Sequence, residues 1–156
     1  MSAAAGDESV RIDTVKVEEL ERLLPLIEDC QLAAGVPDVE RGRNRGYFGR
    51  LIAPSQFGAL IAAWRGRQAI GFTCLHWTLD SVGVRETVTL HVLYVAPEER
   101  GAGIGRALIE AAAELARARG AQALVWQAEH GNHAAQRLYD SLPTRSTRWI
   151  DYELAV

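Results

Sequence analysis

Between residues 87 and 118 the apolar pattern of this 156-residue chain changes period, and the change falls on a run of glycines. Thr87–Val95 is dense in β-branched residues and predicts a strand. Beyond it, Ile104, Leu108, Ala111, Leu115 and Ala118 recur in steps of four and three, the mark of one helix face, with Gly120 placed to end the helix. The link between the two reads Val95-Ala96-Pro97-Glu98-Glu99-Arg100-Gly101-Ala102-Gly103-Ile104-Gly105-Arg106. The first N–H groups of a helix have no intrahelical acceptor, and the helix dipole adds positive potential there. Glycines at 101, 103 and 105 strip away side chains that would cover those groups, which suits the turn to phosphate oxygens. Two other phosphate motifs fail: a dinucleotide fold wants glycine where Arg106 stands, and a P-loop wants Gly-Lys-Ser/Thr. On this feature alone a tight turn of purely structural purpose stays open.

The surrounding pattern predicts an α/β domain in the order β-α-α-β-β-β-α-β-α-β. Val10-Arg11-Ile12 starts a strand; Leu20, Leu23, Leu24 and Ile27 mark a helix that Pro25 should kink or divide. A second short helix is expected over Tyr47, Phe48, Leu51 and Ile52, ending before Pro54 and following Arg41, Arg43 and Arg45. Ala59–Trp64 and Gln68–Leu79 read as a hairpin turning at Arg65-Gly66-Arg67. After the long helix come a short strand at Ala123–Gln127, a helix at Asn132–Asp140 and an alternating terminal strand at Arg148–Leu154. Residues 1–9 are small and polar and are expected to form a disordered tail ahead of one domain, residues 10–156.

Arg-Gly-x-Gly-x-Gly at 100–105 resembles the pyrophosphate-binding motif of the GNAT superfamily of acetyl-CoA-dependent N-acetyltransferases. A second stretch, Asn132-x-x-Ala135-x-x-Leu138-Tyr139, resembles that family's downstream signature, at a distance that fits one helix and one strand. The resemblance implies a mixed, mostly antiparallel central sheet flanked by helices and splayed between the fourth and fifth strands. It implies acetyl-CoA as co-substrate, with no metal, and transfer of the acetyl group to a primary amine of a small molecule or peptide by direct attack in a ternary complex. Leu93, Tyr94 and Val95 would pair with pantetheine. Arg100, Gly101, Ala102, Gly103, Ile104 and Gly105 would hold the pyrophosphate, and Arg106 would either add charge there or belong to a solvated helix face. Asn132 would bond the pantetheine arm, cap its helix, or do both. A non-catalytic acyl-CoA-binding regulatory domain on the same fold is the alternative.

By the same resemblance Tyr139 would be the general acid that protonates the leaving thiolate. The base is open. Polyamine acetyltransferases carry acidic residues where this chain has His91 and Val92, so polyamine chemistry is disfavoured. His91 can serve as the base because an imidazole titrates near neutrality; His76 and a water chain are the other candidates. His130 and His133 are expected to face solvent. The acceptor pocket is expected near Arg41, Arg43, Arg45, Arg50, Tyr47, Phe48, Trp77 and Asp80, where the arginines either recognise an anion or form a solvated face.

Composition closes off other classes. A formal net charge of -3 with 24% charged residues gives no basic surface for nucleic acid. No apolar stretch nears the ~20 residues of a membrane span, and the N-terminus lacks a leader pattern, so a cytoplasmic location is expected. Cys30 and Cys74, with no CxxC pair, read as free thiols. The alternating final segment leaves room for a homodimer.

Overall fold

The apolar runs over 58–95 form three long antiparallel strands in a computed structural model, which describes residues 9–156. The described residues divide after Trp126, and Gln127–Val156 forms a second unit. The expected disordered tail lies outside the described residues, apart from Ser9.

In the first unit the strands β1 (Val10–Thr14), β2 (Gly58–Arg65), β3 (Gln68–Asp80), β4 (Arg85–Val95) and β5 (Leu124–Val125) form one sheet in sequence order. The first four pair antiparallel, while β5 runs parallel to β4. That parallel pairing covers only Val88↔Leu124 and Thr89↔Val125. Beyond Thr89 that pairing ends, and among the described residues no strand pairs with the outer edge of β4 as far as Val95, in line with the splay that the resemblance implies.

Helices cover both faces of the sheet. Helix α1 (Leu20–Ala33) sends Leu20, Leu23, Leu24, Leu26 and Ile27 onto one face, where Leu60, Ala62, Trp64, Phe72 and Cys74 meet them. Helix α2 (Arg41–Gly49) adds Phe48 to the same core. Helix α3 (Ile104–Ala118) covers the opposite face: a Cβ on Gly71 would lie 3.2 Å from both the Ile104 and the Leu108 side chains. Its buried residues are Ile104, Leu108, Ile109, Ala112 and Ala116, mostly in steps of four, whereas Ala118, expected on that face, is exposed. Alanine at 112 and 116 lets the helix approach the sheet closely.

Of the kink or division expected at Pro25, the division does not occur: α1 runs on through that residue. Pro25 lies on the exposed side, where water can take the carbonyl its missing N–H leaves unbonded. Helix α2 begins at Arg41 and ends before Leu51 and Ile52. Two of its exposed arginines are held by α1: Arg41 pairs with Glu28 through two 2.7 Å hydrogen bonds, and Arg45 pairs with Glu21. A β-bulge breaks the β3–β4 register. Leu75 faces Leu90 and Cys74 faces Val92, so His91 is an extra residue.

In the second unit, helix α4 (His133–Asp140) is capped by Asn132, whose side-chain oxygen accepts from the Ala135 N–H at 3.1 Å. Gln136 ties the approach to the helix through the Glu129 and His130 carbonyls. The expected terminal strand at Arg148–Leu154 is absent; Trp149, Ile150, Tyr152 and Leu154 are all exposed. Alternation makes a strand only where a neighbour takes its backbone N–H and C=O groups, and among the described residues none does.

Candidate active site

At its N-terminal end α3 is built to present backbone. Gly101 and Gly103 both have φ +83°, the left-handed region that costs side-chain-bearing residues ~1–2 kcal/mol. A Cβ at either would meet nothing within 4 Å, so the space in front of them is open. Intrahelical bonding begins with Ala107 N–H to the Gly103 carbonyl at 3.0 Å, which leaves the earlier N–H groups of the turn directed outward. The turn is anchored from behind: Ala96 N–H bonds the Ile70 carbonyl at 2.9 Å, and Arg65 pairs with Glu99 at 2.7 Å.

Arg100 does not reach forward from the turn. Its Nε donates to the Val95 carbonyl at 2.9 Å, and its guanidinium carbon lies 5.5 Å from the Tyr94 ring centre. This clamps the end of β4 and leaves the guanidinium at the mouth of the β4 edge. Leu93, Tyr94 and Val95 lie on the stretch of that edge past the point where β5 stops. An open amide turn, a cationic clamp and an unpaired strand edge together suit a ligand with an anionic end and an amide-bearing arm. Acetyl-CoA has both, so these residues fit it.

The two candidate bases lie side by side, with ring centres 5.1 Å apart. His91 is exposed at the bulge; His76 is half-buried, with Nε2 3.6 Å from the Cys74 sulfur. Burial, reinforced by the charge of His91, lowers the pKa of His76, so its ring is neutral at neutral pH and able to accept a proton. His76 lines a cavity of about 210 Å³ together with Tyr47, Arg50, Leu51 and Phe57. Of the residues expected near an acceptor pocket, Tyr47 and Arg50 line this cavity. Phe48 is in the core, Trp77 lines a separate hollow with its indole N–H on the Ser55 carbonyl, and Asp80 pairs with Arg85. Arg41, Arg43 and Arg45 face carboxylates. Phe57 was missed because it lies in an irregular loop where no periodicity marks it, and Leu51 because its spacing reads as a further turn of the helix.

In the second unit, Tyr139 is half-buried, and burial raises the pKa of its phenol, which keeps it protonated at neutral pH. The side-chain oxygen of Asn132 is engaged as a helix cap, and His130 and His133 are exposed. Among the described residues no cluster of three or more His, Cys, Asp or Glu is placed to hold a metal, and no helix is long and apolar enough to cross a membrane.

Residues 21–142 match the family model described as the acetyltransferase (GNAT) family. The chain belongs to that family. The uncharacterized N-acetyltransferase YhfO of Bacillus subtilis is 41% identical over 81 residues, 52% of this chain and 54% of its own. The D-amino-acid N-acetyltransferase HPA3 of Saccharomyces cerevisiae is 36% identical over 103 residues, 65% of this chain and 64% of its own. This GNAT chain thus spans between half and two thirds of the length of those relatives. Its fold matches that of an aminoglycoside acetyltransferase from an uncultured soil metagenomic sample, with a TM-score of 0.80 at 16% identity over 96% of this chain and 98% of the other.

Proposed function

We propose that the protein is an N-acetyltransferase that moves the acetyl group of acetyl-CoA to a primary amine. The observation that carries this reading is the paired left-handed glycines 101 and 103, open to the front, beside a β4 edge left without a partner past Thr89. Family membership and relatives named as N-acetyltransferases support the same chemistry.

Acetyl-CoA supplies the thioester; the chain supplies position and proton transfer. The N–H groups of Gly101 to Gly105 take the pyrophosphate, Arg100 and Arg106 add positive charge, and the backbone of Leu93, Tyr94 and Val95 takes the pantetheine arm. An alkyl amine with a pKa near ~10.4 is neutral in only about one molecule in a few thousand at pH 7. His76, neutral in the cavity wall, removes the ammonium proton, and exposed His91 beside it returns that proton to solvent. The free amine then forms the C–N bond as the C–S bond breaks; the nitrogen gives its second proton to His76, already emptied through His91, and the departing thiolate takes up one proton to leave as CoA thiol. By its motif alone, Tyr139 would be the acid that protonates the departing thiolate, and Asn132 would bond the pantetheine arm.

The test is release of CoA thiol with a panel of amines. Amine-dependent release supports the reading. CoA binding without release from any amine would favour the regulatory domain instead.

A further inference from the structure

Four arginines lie between residues 41 and 50, and one of them differs from the rest. Arg41 is held by Glu28, Arg45 by Glu21, and Arg43 faces Glu40 at 3.9 Å. Arg50, the residue that caps α2, has no carboxylate partner among the described residues, and it is the one that lines the cavity. Its guanidinium carbon lies 4.3 Å from the centre of the Phe57 ring, which orients the planar fork without neutralising it.

The wall around it is fixed. Ser55 Oγ donates to the Arg50 carbonyl at 2.6 Å and accepts the N–H groups of Phe57 and Gly58 at 3.1 and 3.3 Å. Trp77 holds the same loop through the Ser55 carbonyl at 3.1 Å. Tyr47 and Phe57, 48% and 43% exposed, add two part-exposed aromatic side chains to the cavity wall. The lining residues are Tyr47, Arg50, Leu51, Phe57 and His76; none is acidic. A second ammonium group on an acceptor would find no counter-ion there, whereas a carboxylate would find a pre-oriented guanidinium. A volume of about 210 Å³ admits a small molecule or a chain end.

Resting on the acetyl-transfer reading above, we propose that Arg50 binds a carboxylate on the acceptor, so that the acceptor class is a small amine bearing a nearby carboxylate, an amino acid in the simplest case. Arg50 is then a specificity-determining residue.

The experiment compares kcat/KM for three amino acids of different size with that for their amides and their decarboxylated amines, in the parent protein and in Arg50→Ala, Arg50→Lys and Arg43→Ala. A charge-assisted bidentate contact predicts about a ten- to hundredfold preference for the acid in the parent. Arg50→Ala should bring that ratio near one, mainly through KM, and Arg50→Lys should retain part of it. Arg43→Ala, on an arginine outside the cavity, should leave the ratio unchanged. Equal turnover of acids, amides and plain amines, with a ratio unmoved in Arg50→Ala, overturns the inference while acetyl transfer stands. Turnover of no amine at all overturns both.

Discussion

Gly103 and Gly120 make a matched pair for testing the phosphate site. Both have φ +83°, both have open space where a Cβ would go, and they lie at opposite ends of α3. Alanine at either should cost the same left-handed strain, ~1–2 kcal/mol, and lower Tm by about 2–8 °C in a chain of this size. The helix ends differ in what they present: outward N–H groups at 103, carbonyl groups at 120. Only the 103 variants should therefore weaken CoA. Glutamate sharpens the contrast. A carboxylate roughly 5 Å from a phosphate charge repels it by about 3 kcal/mol at an effective dielectric of 20. Screening at this open position brings that to about 1–3 kcal/mol, or roughly 5- to 150-fold in Kd. Calorimetric titration with CoA reads the affinity, and thermal melting reads the strain. Gly103→Glu with a Kd within twofold of Gly120→Glu, both folded, would refute the assignment of the turn to pyrophosphate.

Tyr139→Phe keeps the ring and removes the proton donor; turnover should fall ~10²–10⁴-fold with little change in Tm, and unchanged turnover removes the acid role. The lowered pKa of His76 places a loss of activity below about pH 6.5, as the ring takes up a proton and stops serving as base. His76→Ala should abolish that limb in the pH–rate profile. His91→Ala should slow turnover and move the limb to higher pH, because it removes the neighbouring charge that holds the His76 pKa down; a limb that stays put in both variants assigns it elsewhere. The same sign governs folding: stability contributed by a neutral His76 is full above about pH 6.5 and is lost as pH falls through its depressed pKa, readable as Tm against pH. The Cys74 thiol, pushed up to about 12 by burial, is thiolate in about one molecule in ten thousand at pH 8, so iodoacetamide should spare it in the native protein and label it after unfolding.

The parts of the molecule that read clearly from sequence are those where local chemistry and tertiary role agree. The run from Thr87 to Gly120 is one: β-branched residues, glycines at the turn and a four-step apolar stripe each name their own structure. Where burial depends on a partner element, the pattern misled. The arginines of α2 carry no apolar period, and their helix is held by Glu21 and Glu28 on a different helix. Leu51 and Ile52 look like one more turn of α2 but belong to the loop that shapes the cavity. Ala111 and Ala118 match a helical step as well as Ala112 and Ala116 do, and the packing surface of the sheet decides between them. The pairing of Arg50 with Phe57 joins a helix end to a loop end and leaves no mark in either segment.

The extra residue at His91 changes what kind of mutation β4 can absorb. Ahead of it, Leu90 lies on the α3 face with its partner Leu75; after it, Val92 and Tyr94 pack with the α1 core beside Cys74 and Phe72. The bulge thus works like a frame shift in the alternation of the strand. Substituting His91 alters one exposed side chain. Deleting it would make Leu90 and Val92 neighbours on the opposite faces they already occupy, and would close the bulge into regular pairing with Leu75 and Cys74; adding a residue to the strand without a second bulge is what would turn Leu93 and Val95 toward the α1 core. What the strand's two faces need at position 91 is therefore little, and what the bulge supplies is an exposed ring set beside His76 without disturbing the alternation on either side.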